Sequence, residues 1–119
     1  MRFLKGDVLY VRIFMNRFQI RNITSGKDLN LPSGIPFSHP RTVIGDFIVA
    51  QALLKQGVKS IRRSLPPSVL MHPMDKVEGG LTQIDERVFL ELAYGAGANK
   101  AALWTGKQLR DEEVRGKLG

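Results

Sequence analysis

A chain of 119 residues, 43% of them apolar, is long enough for one domain with its own core and too short for two, and it is neither disordered nor fibrous in composition. It has no cysteine, which excludes disulfides, thiolate zinc sites and thiol nucleophiles and fits a cytoplasmic protein. Its net charge of +7 is concentrated in one half: residues 1–63 carry eleven Lys or Arg against three Asp (+8), and residues 64–119 carry seven basic against eight acidic residues (−1).

The opening MRFLKGD lacks the hydrophobic core of a signal peptide, and no apolar run approaches the roughly 20 residues of a membrane span, so export is not expected. Residues 7–14 are β-branched and aromatic, Met15 and Asn16 interrupt them, and residues 17–23 alternate Phe18 and Ile20 with Arg17, Gln19 and Arg21. That is a hairpin: a buried strand, a tight turn at an Asn that tolerates positive φ, and a half-exposed strand. After a turn at Gly26, residues 27–37 read as a third antiparallel strand, interrupted or bulged at Pro32, Ser33 and Gly34.

Thr42 or Asp46 opens a first helix whose apolar stripe is 47, 48, 50, 53 and 54; Gly57 and the later prolines end it between 56 and 63. Leu65, Pro66 and Pro67 lead into a short apolar strand at 68–72. Thr82 and Asp85 have capping-box spacing, and apolar residues at 84, 88, 89 and 92 follow at helical intervals, with Gly95 and Gly97 ending the helix. Residues 100–104 form the last strand. The segment from 67 to 104 is thus a strand–helix–strand unit with parallel strands, which places it at the centre of the sheet. Residues 109–118 are a charged terminal helix, or a frayed tail over 107–119, docked only by Leu109, Val114 and Leu118. The order β-β-β-α-β-α-β-α predicts a single α/β domain of the ribonuclease-H-like fold, which also builds the halves of actin-like ATPases. No internal repeat is present.

The run QIDERVFLELAYGAGANKAALW resembles the bacterial actin homologue MreB, the rod-shape-determining family, whose first domain has a helix ending in Gly-Ala-Gly-Ala before a parallel strand. VIGDFIVAQALLKQ and SVLMHPM are similar to the preceding helix and the strand between, and the match spans roughly residues 8–104. The family binds the β-phosphate with an Asp-x-Gly-Thr turn; the corresponding stretch here is Arg12, Ile13, Phe14, Met15 and Asn16, with a cation where the acid would be and a phenylalanine where the glycine would be. A second nucleotide-binding domain does not fit in this length, and the connector 38–41 leaves no room for the family's small lateral subdomain. The resemblance therefore implies a truncated relative that binds no nucleotide or other cofactor and hydrolyses nothing: a non-enzymatic interaction module linked to cell shape, with a protein partner or self-association.

Charge supports a competing reading. Arg12, Arg17 and Arg21 on the first hairpin, and Lys55, Lys59, Arg62 and Arg63 at the end of the first helix, are a candidate surface for an anion or partner. They suit a small basic nucleic-acid-binding protein, although Phe18 and Ile20 point away from the arginines and leave no evident pair of rings for bases. The plain structural role of the second group is to complement the helix dipole. Residues 1–5 form at most a minimal foot for a membrane surface. A nuclease-like metal site at Asp75, Glu78 and His72 is the third reading, against the plainer one in which MDKVEGG is a solvated turn. His39 beside Pro40 reads as a turn residue, and Gly79 and Gly80 before the second helix lack the Lys-Ser/Thr of a phosphate loop.

Overall fold

The computed structural model describes residues 6–40, 42–63 and 65–119, and its middle strand is the first in the chain, β1 (Val8–Phe14). VLYVRIF buries Leu9, Tyr10, Val11 and Ile13, so both surfaces of the strand are covered along much of its length and it can take neighbours on either side. A two-residue turn with Asn16 at φ 54° returns the chain as β2 (Arg17–Asn22), and β3 (Asp28–Pro32) pairs antiparallel beyond it. On its other side β1 pairs in parallel with β4 (Ser68–Pro73), and β4 with β5 (Lys100–Leu103). The result is one mixed five-stranded sheet in the order β3-β2-β1-β4-β5.

The expected ribonuclease-H-like, actin-like arrangement is corrected by this sheet. That expectation made the 67–104 segment the centre of the sheet and ran the third of its opening strands on to Phe37. Instead β1 is shared between an antiparallel and a parallel partner, and β5 is an edge with no fully buried residue. β3 stops at Pro32. The physical reasons are burial and proline chemistry. The strands that hold the apolar runs, β1 and β4, take the middle, while Pro32 has no N–H with which to extend a ladder.

Residues 33–40 and 42–46 lie in a connector held by the β1–β2 turn. Asn16 Oδ1 accepts from the backbone N–H groups of Phe37 (2.8 Å) and Ser38 (2.6 Å), and the Phe37 ring stacks on Phe18 at 4.9 Å between centroids. Helix α1 (Phe47–Ile61) is capped by Asp46, whose Oδ1 accepts from Val49 N–H at 3.1 Å. Gly57, expected at the end of this helix, is buried inside it, where an added Cβ would lie 2.1 Å from Leu31 Cδ1 and 3.0 Å from Ile20 Cδ1. It is there for close approach of helix to sheet. Helix α2 (Gln83–Gly95) carries the expected capping box, with Thr82 and Asp85 each bonding the other's backbone N–H at 3.1 Å. Its buried stripe is Val88, Phe89, Leu92 and Ala93; Ile84, expected in the stripe, is 76% exposed. Gly97, at φ 107°, turns the chain into β5.

These two helices cover one face of the sheet, burying Leu9, Val11, Ile13, Phe18, Ile20, Val69 and Met71. The third, α3 (Asp111–Leu118), lies on the opposite face over Tyr10, Ile23 and Leu70, docked by Leu109, Val114 and Leu118. It is short, so it covers β4, β5 and only the edge of β1, and leaves the β1-β2-β3 side of that face open. Among the described residues no helix is long and apolar enough to cross a membrane.

Candidate functional site

Strand alternation decides what stands on the uncovered face. Because Leu9, Val11 and Ile13 point into the core, Tyr10, Arg12 and Phe14 point the other way, and the register places Arg21, Gln19 and Arg17 directly opposite them. The next strand adds Asp28, Asn30 and Pro32 in the same rows.

Phe14 is the centre of this group. The Arg17 guanidinium lies 4.1 Å from its ring centroid and that of Arg12 5.9 Å, close enough for cation–π attraction. Arg17 also donates to Asn30 Oδ1 at 3.2 Å, and Arg12 donates to Gln108 Oε1 at 2.9 Å, from the loop ahead of α3. Both cations are held by neutral amides, and among the described residues no carboxylate pairs with either. Arg21 differs. It grips Asp111 of α3 through Nε (2.9 Å) and a terminal nitrogen (3.1 Å) and meets Asp28 at 3.0 Å; hydrogen bonds to these carboxylates, Asp111 first, raise its pKa above the ordinary arginine value. Arg12 borders two shallow hollows on the face. One, about 430 Å³, lies over Gln19, Arg21 and Asn30; the other, about 450 Å³, lies between Tyr10 and the acidic start of α3. A larger hollow, about 570 Å³, lies at the other end of α3, where the Lys100 ammonium donates to the Leu118 carbonyl.

The basic surface read from the sequence is therefore divided. Arg12 and Arg17 come together, whereas Arg21 is neutralised. Lys55 and Lys59 are exposed on α1, across the sheet from the arginines. Arg62 ends α1 and donates to the Arg63 carbonyl at 3.0 Å. Arg63 is structural: its Nε donates to Asp7 Oδ1 at 2.6 Å and its N–H to Asp7 Oδ2 at 3.1 Å, while Asn22 Nδ2 donates to Asp7 Oδ2 at 2.7 Å. Burial raises the pKa of the Asp7 carboxyl, but the hydrogen bonds from Arg63 and Asn22 outweigh it and hold the group below its ordinary value.

Two of the three residues read as a metal site, His72 and Asp75, have other employment. His72 is buried, with Nδ1 2.5 Å from the Tyr10 hydroxyl and Nε2 3.0 Å from the Gly106 carbonyl. The Gly106 carbonyl can only accept, so Nε2 carries a proton, and in the neutral ring Nδ1 accepts from the Tyr10 hydroxyl, to which Leu109 N–H donates at 3.2 Å. Burial lowers the pKa of His72 and keeps it neutral. Asp75 Oδ2 accepts the Met15 N–H at 2.9 Å, and Glu78 is exposed in the turn before α2. Among the described residues no group of three or more His, Asp or Glu is placed to hold a metal ion. His39 closes a short bridge with Thr42, and residues 1–5, the candidate membrane foot, lie outside the described residues.

Phe14, Asn30 and Gln108 were absent from the candidate surface. The signal for Phe14 was in the sequence: a two-residue turn at 15 and 16 sets residue 14 opposite 17, on the arginine face. Gln108 is 96 residues from Arg12 and carries no such signal.

No family model matches the chain. It is similar to a protein of Escherichia coli strain K12 described as "Uncharacterized protein YjaA", at 30% identity over 99 residues that cover 76% of each chain.

Proposed function

The chain belongs to the same family as Escherichia coli YjaA, and we propose that it is a small basic nucleic-acid-binding protein that works through the open face of β1, β2 and β3. The observation that carries this reading is the Arg12, Phe14 and Arg17 cluster: two guanidinium groups that no described carboxylate pairs, flanking an aromatic ring on a sheet surface that none of the described helices covers. Guanidinium groups bind phosphates bidentately, and an aromatic or guanidinium plane stacks on a base whatever its identity. Gln19 and Asn30, paired across β2 and β3, add amides beside the ring. The proposed role is binding alone.

The reading as an interaction module related to rod-shape proteins draws on a resemblance over roughly residues 8–104, most specific at residues 94–98, which end α2 and turn the chain into β5. No feature among the described residues favours it over the cluster. Fluorescence anisotropy with a labelled oligonucleotide tests the proposal. Affinity should fall steeply with salt, and the double change R12E/R17E should weaken binding by at least about tenfold, because charge reversal adds repulsion to the lost phosphate contacts. Salt-independent binding, or no binding at all, would overturn it.

A further inference from the structure

From the same face, and resting on the nucleic-acid reading, we infer that the ligand is a single strand of RNA or DNA, one of whose unpaired bases stacks on the Arg17–Phe14 pair. Three features set this requirement. The open face is a strand surface, and among the described residues no helix or ribbon projects from it to enter a duplex groove; a flat sheet meets nucleic acid best through splayed bases. The planar groups lie in one place: the Arg17 guanidinium stands 4.1 Å from the Phe14 centroid, a ring with a cation against it, which is the partner a base plane prefers. The amides of Gln19 and Asn30, register partners one row along, carry both donors and acceptors and lie where a neighbouring base edge would fall.

The walls of the face set the course of the strand. On one side the start of α3 stands against the face, joined to it by the Arg12–Gln108 and Arg21–Asp111 hydrogen bonds, and blocks the path of a strand. Towards β3 none of the described helices stands on the face, and the hollow over Gln19 and Asn30, with Asp28 paired to Arg21 at its far side, continues from Arg12 in that direction. The strand therefore runs from the Arg12 side across β2 to β3, with its phosphates on the two arginines and its bases on the sheet.

The test compares a labelled 12-mer of uridylate, its deoxythymidylate counterpart and a duplex of equal length, with the wild type and Phe14→Leu, each checked for an unchanged thermal melt. The single strands should bind more tightly than the duplex, and Phe14→Leu should lose roughly tenfold on the single strands and nothing on the duplex. RNA tighter than DNA would point to the 2′-hydroxyl as an added contact; equal affinity would assign binding to phosphate and base alone, and both uphold the inference. If Phe14→Leu fails to fold, Phe14→Trp serves: single strands should quench its fluorescence beyond any quenching of the native Trp104. Equal binding of strand and duplex with no effect at Phe14, yet loss in R12E/R17E, would overturn the inference and leave the nucleic-acid reading standing. No binding to any of the three would overturn both.

Discussion

At the scale of single residues, the same kind of side chain serves opposite ends, and its partner decides which. Arg63 and Arg17 are both arginines of the basic half, yet Arg63 closes a network on a carboxylate that is 1% exposed, while Arg17 lies against a ring and an amide. Asp7→Asn should therefore cost about 1–3 kcal/mol in urea unfolding at neutral pH, at the lower end because the Arg63 side chain is 66% exposed and water replaces part of what is lost. The folded carboxyl sits below its ordinary value of 3.8, so its contribution is present above that pH and is lost as pH falls through the folded value. Wild type and variant should thus converge in stability once the pH has fallen below the folded value, and a gap that persisted there would show that the charge is not what holds the network. None of this pairing is legible in sequence. Asp7, Asn22 and Arg63 are separated by as many as 56 positions, and spacing carries no information about which distant cation meets which acid.

At the scale of elements, local chemistry was legible and tertiary contact was not. The Thr82 and Asp85 box, the Asn16 turn and the alternation of β2 are decided within a few residues, and each appears where the sequence puts it. Gly57 and Ile84 were misread because only neighbours from other elements explain them: one is the point where α1 touches β2 and β3, the other is an apolar side chain left on the outside. Gly57→Ala should be nearly neutral, since the gain in helix propensity offsets the turning of the Leu31 tip. Gly57→Val presents branches to both Leu31 and Ile20 and should destabilise by about 1–3 kcal/mol, measured as a lowered urea midpoint at unchanged slope. Phe14 belongs here too. Its side of the strand follows from the hairpin register, but its importance depends on α3 stopping short of it.

At the scale of the whole molecule, the sheet has one face closed by two helices and another closed only in part, and that asymmetry makes a site possible. Removing residues 107–119 should leave the larger core intact while baring Tyr10, Ile23 and Leu70, along with Trp104 beside them. The truncated chain should keep its strand and helix signal in circular dichroism but associate, seen as a larger species in light scattering. A monomer with unchanged stability would mean that α3 contributes nothing to the fold. Strand order lay beyond sequence reading because β1 is an apolar run like β4, and only the meeting of distant strands shows which of them gains two neighbours.

Asn16 gathers more of the chain than its size suggests. Its carbonyl accepts from Ser33 N–H at 2.9 Å, its N–H donates to Ser38 Oγ at 2.8 Å, and its side chain holds Phe37 and Ser38, while the adjoining Met15 is tied to Asp75. The hairpin tip is thus riveted to two other loops, directly beside Phe14 and Arg17. A platform fixed in advance loses little backbone freedom when something settles on it, so the cost of ordering falls on the incoming molecule and tight association can come from a very small patch.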